Sequence, residues 1–226
     1  MKHGTPRFLP YRWRGSAEWM LMRGPDDGPQ VIVLAPLFAE MNLTRALLAE
    51  LGRALAERGV GSWLPDLPGT GESRRPLGAV SWEDWLDVAR TIGEEVASRI
   101  GTRPFVCSVR GGALLDHAIG ARARWRYAPA EGSALLRQLG RAQQIADRES
   151  GAVPAPPGEP AELAGYMLSP AMRSGLEAAH PAPGAEREMA NAGAALWRRA
   201  EPGRDDTLAH TLAADICDWI KACGDR

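Results

Sequence analysis

The chain has 226 residues, room for one α/β domain and a crowded space for two. Hydrophobic residues make up 45% and charged residues 24%, and the net charge of −1 gives no global field toward nucleic acid or an acidic membrane surface. Three cysteines, odd in number and without CxxC spacing, argue against a zinc site or a disulfide framework. No apolar run approaches the ~20 residues of a membrane-spanning helix, and Met1–Pro6 carries no apolar signal segment. The expectation is a cytoplasmic chain, not integral to the membrane, with no metal, no cofactor and no nucleic-acid partner. Arg122, Arg124 and Arg126 read as a solvated face.

In chain order, Phe8–Trp13 and Glu18–Arg23 predict an opening antiparallel hairpin. Val31–Ala35 is a continuous β-branched and apolar run, as in a strand buried on both faces. Leu43, Leu47, Leu51 and Leu55 recur every four residues and predict an amphipathic helix, with Asn42 as N-cap and Gly59 just past its end. Val60–Leu64 is the next strand, so the three elements form a βαβ unit with parallel pairing. The loop Pro65–Ser73 contains Asp66, Gly69, Gly71 and Ser73; without a following Gly-Lys-Ser/Thr it is no phosphate loop, and Asp66 is expected to bond within its own turn. Ser81 with Asp84 three residues on predicts a capping box, before a helix whose buried stripe is Trp82, Trp85, Ala89, Ile92 and Val96.

Phe105–Cys107 predicts a short strand. It turns through small residues into an apolar helix running to about Ala121, followed by a strand at Trp125–Ala128. Strand, tight turn and helix describe a nucleophile elbow, small-x-nucleophile-x-small. Here Ser108 and Gly112 are the small flanks, Gly111 lies inside the turn, and the nucleophile position holds Arg110. A guanidinium is permanently protonated and has no lone pair with which to attack a carbonyl. Residues 129–185 predict a cap-like insertion, with a helix over Ala134–Arg148 and a Pro/Gly-rich loop at Gly151–Pro160. Ala194–Ala200 reads as a last strand, and Leu208, Leu212, Ile216, Trp219 and Ile220 mark the closing helix.

A serine hydrolase also needs an imidazole in the loop before its last helix. That loop, Glu201–Asp206, has no histidine. His210 falls about 200° around the closing helix from Leu208 and points off its buried stripe. His117 is two turns past the elbow, His180 lies in a Pro-rich stretch, and His3 is terminal. Cys107 and Ser108 precede the apex and read as small packing residues rather than nucleophiles. At a helix N-terminus a bare cation needs a partner, and Glu40, on the loop facing the elbow, is the expected one. The competing use of Arg110 is to hold the carboxylate or phosphate of a ligand.

Four stretches together resemble the exosortase A system-associated hydrolases of the second type: Pro36–Asn42, Asp66–Ser73, Val109–Leu115 with arginine at the elbow, and Ala164–Pro170. The resemblance covers roughly residues 30–175. It implies an α/β-hydrolase fold and an association with exopolysaccharide and protein-sorting systems of Gram-negative bacteria. The expected architecture is a single domain over residues 1–226, a three-layer sandwich of a mainly parallel sheet, flanking helices and a small helical cap. The segment from Ser169 to Ala194 is short for the usual strand-helix unit, so one such unit is expected to be missing. The expected function, with Arg110 in place of the nucleophile, is a non-catalytic or atypical role: binding an anionic ligand, or a protein partner of such a system, at the elbow. The candidate residues are Phe38, Glu40, Asp66, Ser108, Arg110, Gly111 and Gly112; the alternative is hydrolysis of an ester, thioester or related acyl bond.

Overall fold

The computed structural model describes residues 5–150, 158–190 and 195–224. A seven-stranded sheet runs through it in the order β1-β2-β4-β3-β5-β6-β9. Strands β1 (Arg7–Trp13) and β2 (Ser16–Arg23) form the predicted hairpin, and β2 pairs antiparallel with β4 (Gly61–Pro65). The remaining neighbours are parallel: β3 (Gln30–Leu34) lies between β4 and β5 (Phe105–Val109), then come β6 (Arg124–Tyr127) and β9 (Arg187–Met189). Every residue of β3 and β5 is buried, as expected of central strands covered on both faces.

Helices α1 (Ala39–Glu57) and α5 (Asp206–Gly224) pack together on one face of the sheet. There Leu47, Leu51, Leu55, Leu212 and Ile216 close over Val31, Val33 and Trp125. Helix α2 (Trp82–Ile100) covers the other face and buries its expected stripe. Its capping box forms in full: the Ser81 hydroxyl accepts from Asp84 N–H, and the Asp84 carboxylate accepts from Ser81 N–H. Against α2 lies a second layer made of α3 (Gly132–Ser150), the hairpin β7 (Ala161–Leu163) and β8 (Tyr166–Leu168), and α4 (Pro170–Ala178). Ala164 and Gly165 make the hairpin turn at φ 53 and 83, and Ser169 caps α4 ahead of Pro170.

Several sequence expectations need correction. Helix α1 begins at Ala39, so Phe38 rather than Asn42 is its N-cap residue, while Gly59 does take up a left-handed conformation just beyond its end. The stretch after β5 is not one helix to Ala121 but two short 3₁₀ turns, Arg110–Leu114 and Asp116–Ala118. Two glycines weaken helix propagation there, and the carbonyls of Asp116 and Ile119 accept from the Arg124 side chain as well as from the Ile119 and Ala121 N–H groups of tight turns. Residues 196–198 form a 3₁₀ turn, not a strand. The strand beyond β6 is β9, earlier in the chain, and no further strand lies between β9 and α5 among the described residues. Arg126 is not solvated: it is 3% exposed and forms a bidentate pair with buried Asp116. His3 and most of Gly151–Pro160 fall outside the described residues.

Candidate functional site

Strand β5 delivers the chain to the turn at the sheet's C-terminal edge, where Arg110 is held at φ 54. A non-glycine residue in that region stores about 1–3 kcal/mol of strain and persists only where its surroundings over-determine it. Gly112 lets the turn close against β3: a Cβ there would stand 2.6 Å from the Leu34 carbonyl oxygen and 2.8 Å from that of Ala35. Strand order, parallel core and this strained turn are those of the α/β hydrolases. The fold is α/β-hydrolase-like.

At the apex, Arg110 is held from three directions. Its Nε and one terminal nitrogen donate to the two Glu40 oxygens at 3.1 and 3.0 Å. The other terminal nitrogen donates to the Ala128 carbonyl at 3.0 Å. Its guanidinium carbon lies 4.6 Å from the centre of the Trp197 ring, a cation–π contact. Glu40 sits in the first turn of α1, where the helix N-terminus favours a negative charge. Its side chain is 2% exposed against 18% for Arg110. Burial pushes the Glu40 carboxyl above the usual carboxylate range, opposed by the bonds and charge of Arg110 and by the charge of Arg198.

The residues just before the apex point inward. Ser108 is fully buried, and its hydroxyl donates to Asp116 at 3.1 Å. The same carboxylate takes two bonds from Arg126, at 2.7 and 2.8 Å, so the hydroxyl is tied into a structural ion pair. Cys107 is fully buried on the opposite face of the sheet, and desolvation pushes its thiol well up, against the thiolate a nucleophile needs. Neither side chain reaches the apex.

The three described histidines lie elsewhere. His210 faces Glu50 at 3.5 Å, exposed His180 pairs with Glu131, and His117 is exposed. Among the described residues no three of His, Cys, Asp and Glu cluster as metal ligands. Among the described residues no helix is long and apolar enough to cross a membrane. The Asp116–Arg126 pair was missed from sequence; its one signal was a lone charged residue inside the apolar stretch Ala113–Ala118.

The stretches that carry the family resemblance converge in space. Phe38, at φ 56, packs edge-on to Tyr166 at 5.5 Å, and Asn42 donates to the Tyr166 hydroxyl at 3.3 Å. Asp66 accepts from Glu72 N–H at 3.0 Å, which bends the loop back on itself as expected, and Gly71 leaves room for that carboxyl. Burial raises the Asp66 carboxyl above its usual range. Phe38, Asn42, Asp66 and Tyr166 border a cavity of about 590 Å³ between α1 and strands β2 and β4; Glu40, Ser108, Arg110, Gly111 and Gly112 do not.

No family model matches the chain, and none of the curated proteins does. Among solved structures it is similar to DcsB in complex with its substrate analogue (18% identity, TM-score 0.45, covering 69% of this chain). It is similar also to a proline iminopeptidase-related protein from Thermus thermophilus (18%, 0.48, 62%). The chain spans 58% and 50% of the lengths of these two. A presumptive hydrolase from Agrobacterium vitis aligns over 97% of this chain and 98% of its own, with 16% identity and a TM-score of 0.49.

Proposed function

We propose that this chain is a non-catalytic α/β-hydrolase-fold protein that binds an anionic ligand, acting in the cytoplasm within an exopolysaccharide or protein-sorting system. The observation that carries the non-catalytic reading is the Arg110–Glu40 pair at the place of a nucleophile. Three of the five guanidinium donors are used within the protein, on Glu40 and the Ala128 carbonyl. An anion could reach Arg110 only at its leftover donors and against the charge of Glu40. The elbow therefore serves as a structural tie, and ligand binding belongs to the open space beside it. Three free cysteines support a reducing compartment. The system assignment rests on the four resembling stretches, which meet at one end of the sheet.

The test is labelling with a fluorophosphonate serine-hydrolase probe together with turnover of p-nitrophenyl acetate and butyrate. The expected outcome is no labelling and turnover at the buffer rate. Because no imidazole among the described residues stands beside the turn, Arg110→Ser should remain unlabelled as well. Labelling of the wild-type chain at Ser108 or Cys107 would overturn the reading in favour of an acyl hydrolase.

A further inference from the structure

The cavity beside α1 has a definite chemical character. Its floor is the face of β2 and β4 that α1 leaves uncovered, with Trp19, Leu21 and Leu64 half-buried in the row. Leu48 of α1 and Val33 of β3 close the inner wall. The volume of about 590 Å³ falls within the ~300–1,000 Å³ of small-molecule sites. Such sites combine apolar walls with a few placed polar groups, and the charged groups here are Arg23, Arg45, Asp66 and Glu72.

Arg23 stands at one end, opposite Ser62 and against Gly52, and Arg45 stands at the other, near Asp66. Among the described residues neither guanidinium has an ion-pair partner. They differ in what surrounds them. Arg45 is exposed and feels the charge of Asp66, whereas Arg23 is half-buried and has no carboxylate paired with it. Positions 62 and 66 on the strand beneath are separated by about 13 Å at ~3.3 Å per residue, and the surface between them is apolar.

We infer that this groove binds a single-chain amphiphile, an alkyl chain of medium length ending in a carboxylate or phosphate. The anionic head sits on Arg23, the chain lies along Leu21, Leu64 and Leu48, and the tail runs toward Phe38 and Tyr166. The head pairs with a half-buried cation that no carboxylate of the described residues compensates, through a charge-assisted bidentate contact. The inference rests on the anionic-ligand reading above and names the ligand's class and place.

Isothermal titration calorimetry with decanoate, decyl phosphate, decanol and acetate tests it. Decanoate or decyl phosphate should bind in the micromolar range, at least tenfold more tightly than decanol, and acetate should not bind measurably. Arg23→Gln should remove most of the preference over decanol, and Arg45→Gln should change affinity less than threefold. Ala49→Trp, which adds bulk from an exposed position on α1, should abolish binding without lowering the Tm. Arg141→Gln, on α3 away from the groove, should bind as the wild type does. Failure of both anionic probes to bind, equal binding of decanol, or full binding by Ala49→Trp would each overturn the inference. The probe-labelling result is independent: an unlabelled chain that ignores decanoate loses this ligand class and keeps its non-catalytic reading.

Discussion

Two arginine–carboxylate pairs flank the end of β5, and they are built differently. Asp116–Arg126 is closed off completely, with side chains 0% and 4% exposed, and its carboxylate also accepts from Ser108. Glu40–Arg110 has the same fork geometry but leaves Arg110 18% exposed and shares it with a carbonyl and a tryptophan face. The first pair lies within ten positions of sequence and fixes the connection from β5 to β6. The second spans seventy positions and fastens α1 across the elbow. A sealed pair is costly to break because the surviving charge has no water to turn to; a partly open one can rehydrate its cation.

That contrast can be tested directly. Asp116→Ala should destabilise the fold by about 3–5 kcal/mol, since it strands Arg126 in the interior. Urea denaturation measures this, and replacing both partners by apolar residues should recover most of the loss. Glu40→Ala should cost less, about 2 kcal/mol, in keeping with hydrogen bonds to a charged group that keeps some solvent and the Trp197 face. If the two single changes cost the same, solvent access is not what separates the pairs.

A smaller effect concerns pH. The Glu40 carboxyl is raised in the folded state, chiefly by burial, so the folded chain holds that proton above the pH at which the unfolded chain releases it. Its contribution to stability is fully present below the unfolded carboxylate pKa of about 4.3 and declines as pH rises through the folded value. Glu40→Gln removes this titration. The stability advantage of the wild type over Glu40→Gln should therefore be larger at pH 4 than at pH 7, as read by Tm at each pH. An advantage that grows with pH would reverse the sign.

The periodicity of Leu43 to Leu55, the Ser81 capping box and the apolar strand runs were readable because each is local and repeats at a fixed spacing. The seventy-residue Glu40–Arg110 pair could also be anticipated, because the fold places the loop after β3 opposite the elbow and a cation at that turn needs an anion. Asp116–Arg126 was harder despite its short separation. Nothing in Arg122-Ala-Arg-Trp-Arg126 says which arginine faces inward, and only the burial of Asp116 decides it. The broken helix after the elbow was hidden for the same reason, since the Arg124 side chain shares the carbonyls of its tight turns, a contact from beyond the segment. The groove was invisible because it arises from sheet face that α1 fails to cover.

The guanidinium of Arg110 touches groups from residues 40, 128 and 197, so the strained turn is completed only after most of the chain has been brought together. Closing loops of that length precedes any reward from the contact. The tie is therefore expected to form late in folding, after the parallel strands are in register. Loosening it should quicken unfolding and leave the folding rate nearly unchanged. The apex of the elbow would then bear on how long the folded state lasts.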